Sequence, residues 1–199
     1  MYRKIIIFTI VLFFLISAVS AIDSSNWTTA NVGYEEFKIP PKYENPYKND
    51  FHLYQYDDDI DVFTVRYVNP AIMDLYPYFL EHSTAKKVNV SGRDAVHFTS
   101  YDRHDKANNS KLWFSAGEEF YYIAWRGTNI TPNIEEIVNS SSPSKYTHEE
   151  FYDILNEEYK NYKIVNAIES QRMDYSSGDS GSHTFFSYGS NGGNFGIIL

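Results

Sequence analysis

Between residues 95 and 125 the chain runs through three aromatic and β-branched segments, AVHFTSY, KLWFS and EEFYYIAW. Only a charged loop and a turn at Ala116-Gly117 separate them. Strands this close in sequence cannot be parallel neighbours, because a parallel connection needs a crossover of a dozen or more residues. They must form an antiparallel meander, which confines the chain to folds with an antiparallel sheet. More alternation precedes it, at Phe37 to Ile39, at Phe51 to Tyr56, and in IDVFTVRYV, where Phe63, Val65 and Tyr67 share a face. The acidic run DDD reads as a hairpin turn between the last two, and NVSGRD as another turn before the meander.

Helical periods fill the gaps. Asn69-Pro70 reads as an N-cap followed by proline at the first helical position, with Ile72, Leu75, Phe79 and Leu80 on one stripe. Pro77 lies inside that stripe, so a kink or split is expected there. Thr131-Pro132 opens a second helix with Ile134, Ile137 and Val138 as its apolar side, ended by NSSSPS. Thr147 and Glu150 have capping-box spacing, and Phe151, Ile154, Leu155, Tyr159 and Tyr162 follow at helical intervals. The expected fold is α+β: a single antiparallel sheet of hairpins and meander, packed by two to three helices, over residues 34–168. Residues 22–33 read as a linker, and residues 169–199 as a flexible tail rich in Gly, Ser and aromatics.

Location is the other strong reading. Residues 1–21 carry a basic start, Arg3 and Lys4, an apolar run over 5–19, and the small residues Ser20 and Ala21, which is the layout of a signal peptide. We therefore expect a secreted or cell-surface protein, which touches a membrane only through residues 5–19 if the segment is retained. The formal charge is −9, and loss of residues 1–21 removes two bases and no acid. Such a chain repels phosphate polymers, so nucleic acid is excluded as a partner class. The sequence contains 0 cysteines, which rules out disulfides, thiol catalysis and cysteine-ligated metal. Five asparagines stand in N-x-S/T motifs, Asn26, Asn89, Asn108, Asn129 and Asn139, and make the protein a glycoprotein candidate whose sequons should lie on the surface.

Several short patterns carry candidate chemistry. Trp113, Tyr121, Tyr122 and Trp125 on the meander are the candidate binding residues, an aromatic surface for sugar or peptide if one sheet face stays open. Asp57, Asp59 and Asp61 alternate like half of a calcium loop, but Val62 and Val68 occupy the positions that need glycine and glutamate, so the preferred reading is a solvated turn with no metal. Asp102, His104 and Asp105 in YDRHDK form a charged loop, and His97 is a lone strand histidine. No cofactor-binding motif is present, and no cofactor is expected.

The tail segment YGSNGGN around Ser190 resembles the nucleophile elbow of class 3 lipases, and IAWRGT, Ile123 to Thr128, resembles their oxyanion-side strand and loop. That resemblance implies a truncated or inactive α/β-hydrolase relative with Ser190 at a degenerate elbow. Tyr188 stands at the first glycine position of the elbow, and Ser190 is followed by no Asp, Glu or His to serve as its base. Ser190 is accordingly read as a tail residue. From Tyr34 to about Tyr162 the order of elements, with Phe37, Ile39 and Pro40 at its start and Val90 and Gly92 at a turn, resembles small exported α/β domains of the PsbP/Mog1 kind, and secreted archaeal surface proteins built on that plan. The resemblance implies a non-enzymatic binding or assembly module whose partner is a protein or an envelope glycan, with the hydrolase relative as the alternative. Mass spectrometry of the mature chain should show Ile22 as the first residue. A product in the membrane fraction that begins at Met1 would identify residues 5–19 as an anchor instead.

Overall fold

A computed structural model describes residues 22–58 and 60–176. The fold is α+β and its sheets are antiparallel throughout. Among the described residues nine strands run in chain order: β1 Thr28–Val32, β2 Glu35–Ile39, β3 Lys48–Asp50, β4 Leu53–Asp57, β5 Val62–Val68, β6 Thr84–Val90, β7 Arg93–Asp102, β8 Ala107–Ala116 and β9 Glu119–Arg126. Three helices join them, α1 Leu75–His82, α2 Pro132–Ser140 and α3 His148–Ser176. Strands β3 to β9 form one sheet in the order β3-β4-β5-β9-β8-β7-β6, and β1 and β2 form a separate hairpin. The chain leaves β5 in mid-sheet, crosses through α1 to the far edge, and returns strand by strand until β9 pairs with β5.

The sheet is covered on both faces, but unequally. Side chains alternate across the strands, so Phe63, Val65, Leu112, Phe114, Tyr121 and Ile123 all point to one side. There they meet Val32, Phe37 and Ile39 of the hairpin and Ile134, Ile137 and Val138 of α2. The opposite face gathers Val68, Val96, Phe98, Trp113, Phe120 and Tyr122 beneath Tyr76 and Phe79 of α1 and Phe151, Tyr152 and Leu155 of α3.

Several local readings hold. Ser91 (φ 52°) and Gly92 (φ 83°) make the two-residue β6–β7 turn, with both residues left-handed as a type I′ turn requires. Thr131 Oγ1 accepts from Ile134 N at 3.4 Å to cap α2. Thr147 and Glu150 form the reciprocal box at the start of α3, with Thr147 N donating to Glu150 Oε2 at 2.8 Å and Glu150 N to Thr147 Oγ1 at 3.3 Å.

Others need correction. Residues 28–32, read as linker, form β1, and Trp27, Ala30 and Val32 are buried with it. The sheet is therefore not single: this hairpin is a second one that roofs the first face. The split expected at Pro77 falls earlier. Asn69 Oδ1 caps a 3-10 turn, Pro70–Ile72, at Ala71 N (3.0 Å), and α1 begins afresh at Leu75. Pro77 then sits in the first turn of α1, where its missing N–H has no intrahelical acceptor to lose. Strand β6 was not anticipated, because TAKKVNV is an edge strand exposed over most of its length and carries Lys86 and Lys87, residues that guard an edge against pairing with another chain.

Gly33 has the tightest backbone constraint. It opens the β1–β2 turn at φ 60°, and an added Cβ would lie 2.7 Å from Tyr67 Cγ. Tyr67 is buried in the sheet and holds Glu119 Oε2 through its hydroxyl at 3.1 Å. Gly33→Ala should therefore lower stability by about 2–4 kcal/mol through overpacking and left-handed strain combined, measured by urea unfolding.

Candidate functional site

The second face is not covered completely. The α1 helix spans only 8 residues, roughly 12 Å at 1.5 Å per residue, and it packs over β6 and β7 and against α3 rather than over β3, β4 and β5. What remains is a cleft of about 580 Å³. Its floor is the second face of β4, β5, β9 and β8, and one wall is Leu75, Tyr78 and Phe79 of α1.

Strand register explains why this spot is hollow. Thr64 of β5 lies opposite Ala124 of β9, and Ala124 lies opposite Lys111 of β8. The centre of the row therefore consists of two small side chains. On the row toward α3, Arg66 faces Tyr122, which faces Trp113. On the other side Asn109 pairs with Arg126 and with Ser100. Two long cationic side chains, Arg66 and Lys111, thus flank a floor made of Ala124 and Thr64, separated by two inter-strand spacings, roughly 10 Å.

Several polar atoms of this floor lack a hydrogen-bond partner, although Arg66 does hydrogen-bond the Tyr122 hydroxyl. Lys111 is partly buried, and its ammonium lies 4.8 Å from the Phe79 ring centroid. Among the described residues no hydrogen bond or ion pair reaches it. Burial pulls its pKa below the ordinary lysine value, opposed by the charge of Asp102. Four sealed side-chain nitrogens lack an acceptor among the described residues, Arg66 Nε, Asn109 Nδ2, Trp113 Nε1 and Arg126 Nε, and the first two belong to residues that line the cleft. Burial raises the Tyr122 hydroxyl pKa, and the neighbouring Arg66 partly offsets the rise. Among the described residues only Asp57, at the rim, contributes a carboxylate to the lining.

The residues singled out from sequence are distributed differently from the expectation. Trp113 and Tyr121 are fully buried, and Tyr122 and Trp125 nearly so. No exposed aromatic surface forms from these four: Trp113 and Tyr122 stack 5.8 Å apart under α1, and Tyr121 packs on Phe37 on the other face. Tyr122 and Trp125 do reach the cleft lining. Asp61 is buried and pairs with Lys42, while Asp57 is exposed. The turn itself is built by Asp58, whose Oδ1 accepts from Ile60 N at 2.7 Å and Asp61 N at 2.6 Å. Asp59 lies outside the described residues. In the β7–β8 loop Asp102 Oδ1 accepts from His104 N at 2.7 Å, and Asp105 binds Arg126 at 2.9 Å. No group of three His, Asp or Glu residues able to hold a metal ion forms among the described residues.

His97 is a packed histidine. Its Nε2 lies 3.0 Å from Ser110 Oγ, and its ring stacks on Trp125 at 5.5 Å. Ser110 gives its single proton to Gly127 O at 2.8 Å, so it accepts from His97 and has no proton to lose to it. Burial lowers the His97 pKa. The pair is therefore not a nucleophile with its base. Ile123 to Arg126 of the IAWRGT segment run along β9, and Ser190 lies outside the described residues. All five sequon asparagines are exposed.

Sequence reasoning missed Arg66 and Lys111, although a signal was there. Both interrupt strongly apolar strands, TVRYV and SKLWF, at positions whose alternation partners, Thr64 and Val68 for Arg66 and Asn109 and Trp113 for Lys111, are buried. A cation at such a position marks a gap in the cover of that face. No protein-family model matches the chain, and neither a curated protein nor a solved structure matches it. No helix among the described residues is long and apolar enough to cross a membrane.

An unpaired ammonium beside Phe79 costs desolvation energy that a neutral isostere would not. Lys111→Met, which keeps the length of the side chain, should raise the thermal midpoint by about 2–4 °C, the shift expected for a gain of about 1 kcal/mol in a domain of this size. Scanning calorimetry reads this directly, and an unchanged or lower midpoint would show that the ammonium is already compensated.

Proposed function

We propose that this chain is an exported cell-surface or extracellular domain that binds a ligand or partner without transforming it, and that the cleft beside α1 is its binding site. The observation that carries this reading is the cleft itself. It has the volume of a small-molecule site, an aromatic wall, and polar groups on its floor that the fold leaves without partners. Natural proteins satisfy nearly all their buried polar groups, so a cluster of exceptions at the base of a hollow points to something that arrives from outside.

The non-enzymatic part of the reading rests on what the cleft offers chemically. Among the described residues no serine or threonine hydroxyl of the lining bonds to a carboxylate, and the Ser110–His97 contact has its proton directed at Gly127 O. Export is supported by the signal-like residues 1–21 and by five exposed sequon asparagines available to glycosylation. The layout resembling exported PsbP/Mog1-like domains agrees with a binding or assembly role. A protein or an envelope glycan is the partner that such a location offers.

The neutral dye N-phenyl-1-naphthylamine tests the site without presuming a charge on its ligand. Titrated into the purified protein, it should bind at a single site with increased fluorescence. Ala124→Phe, which puts a ring in the centre of the hollow, should weaken binding by about tenfold or more, a loss of roughly 1.4 kcal/mol. A folded protein that takes up no dye would remove the cleft from consideration. Covalent labelling by a fluorophosphonate that disappears in Ser190→Ala would favour the hydrolase alternative over a binding module.

A further inference from the structure

We propose that the ligand of the cleft is an organic anion: a carboxylate held between Arg66 and Lys111, attached to an apolar or aromatic body lying against Tyr78 and Phe79. The inference rests on the cleft being a binding site and adds the chemistry of what it binds.

The formal charge of the whole chain is −9, yet the two residues that flank the hollow are both cationic. Most lysines of the protein either lie on the surface or are paired, as Lys42 is with Asp61 and Lys145 with Glu118. Lys111 is neither. It is partly buried on a central strand, and among the described residues it forms no ion pair, the charge of Asp102 acting on it only from a distance. An ammonium in that position is unfavourable until an anion arrives, and the pairing then forms in a partly desolvated site where it is stronger than in water.

The donor set is one-sided in the same sense. Arg66 Nε and Asn109 Nδ2 are donors without acceptors, and an arginine or lysine side chain offers no acceptor at all. A ligand with hydroxyls alone would have to accept at Arg66, at Lys111 and at the Asn109 amide nitrogen. A carboxylate accepts through two oxygens and matches the planar guanidinium fork. Seated over Ala124 and Thr64 it would lie between the two cations, and a small rotation of the Arg66 and Asn109 side chains would bring their sealed nitrogens to it.

The rest of the cleft selects the body of the ligand. Leu75, Tyr78 and Phe79 present one continuous apolar wall from α1, and Tyr122 and Ala124 extend it along the floor. A volume of about 580 Å³ is far larger than a carboxylate alone needs. A bare inorganic anion would leave that wall unused. Asp57 at the rim disfavours a ligand charged at both ends with negative groups.

The test compares acids with their uncharged amides on the full-length protein. Octanoate and phenylacetate, titrated calorimetrically, should bind at least tenfold more tightly than octanamide and phenylacetamide. Arg66→Gln and Lys111→Met should each weaken octanoate tenfold or more, while leaving octanamide within twofold. His104→Ala, in the exposed β7–β8 loop, should change nothing. Octanoate should also raise the thermal midpoint of the wild-type protein but not that of Lys111→Met. The acid–amide comparison on the wild-type protein stands even if a variant does not fold. Acids and amides binding equally would overturn the anion proposal and leave the cleft as a site for neutral ligands. Neither class binding, with the neutral dye also excluded, would overturn both readings. Octanoate binding that appears only after residues 177–199 are removed would make the tail the occupant and also overturn the proposal.

Discussion

The ladder between β5 and β9 joins the two halves of the molecule. It pairs Phe63 with Trp125 through to Val68 with Phe120 across more than fifty residues of intervening chain. Without it, the β3–β5 unit and the β6–β9 meander would each be a small sheet with exposed edges and one face to bury. With it, β5 and β9 become central strands packed on both sides, and their alternation sorts Phe63, Val65, Tyr121 and Ile123 to one core and Val68, Phe120 and Tyr122 to the other. The ladder also places Thr64 opposite Ala124, and so creates the hollow. A shift of one residue in this pairing would turn every side chain of β5 to the wrong face.

The two faces are closed by different means, and the difference determines where the site lies. On the first face the β1–β2 hairpin and α2 spread over the middle of the sheet, with Lys38 N donating to Ser140 Oγ at 2.9 Å to lock hairpin to helix. On the second face, α1 is an 8-residue crossover that has to reach the far edge, and α3 follows it there. An ion pair between Glu81 and Lys163 holds the two helices together. Cover is therefore concentrated over β6 to β9, and the β4–β5 side of the sheet keeps an open floor. The cleft follows from the length of the crossover and needs no inserted loop.

On the proposed reading, stability and binding pull in opposite directions at that floor. A fold optimised only for stability would place an apolar residue at Lys111, between Phe98 and Ala124 in the row. Arg93 shows how the same protein treats a buried cation that has a structural role. It donates to Ser141 Oγ at 2.8 Å, Ser142 O at 2.8 Å and Ser141 O at 2.6 Å, and it anchors the loop after α2. Arg93 and Lys111 lie on adjacent strands, and among the described residues only the second makes no hydrogen bond or ion pair, resting instead against the Phe79 ring. That contrast within one sheet is the strongest physical sign that the Lys111 position serves something other than the fold.

By itself the sequence determined the fold class, the three-strand meander, the caps of α2 and α3 and the tight turns, because each depends on residues a few positions apart: alternation, a Pro or Gly at a fixed offset, a Thr three residues before a Glu. It also determined the charge, the absence of cysteine and the exposed sequons. Only the tertiary structure decided that residues 28–32 are a strand, since TTANV has no period of its own and becomes ordered by burying Ala30 and Val32 on the sheet. It decided that Trp113 and Tyr121 are core and not surface, because which face of a strand is covered depends on distant helices. It decided the site as well. Arg66 lies far along the chain from Asn109 and Lys111, and the register of three strands and the shortness of one helix bring them to the same hollow.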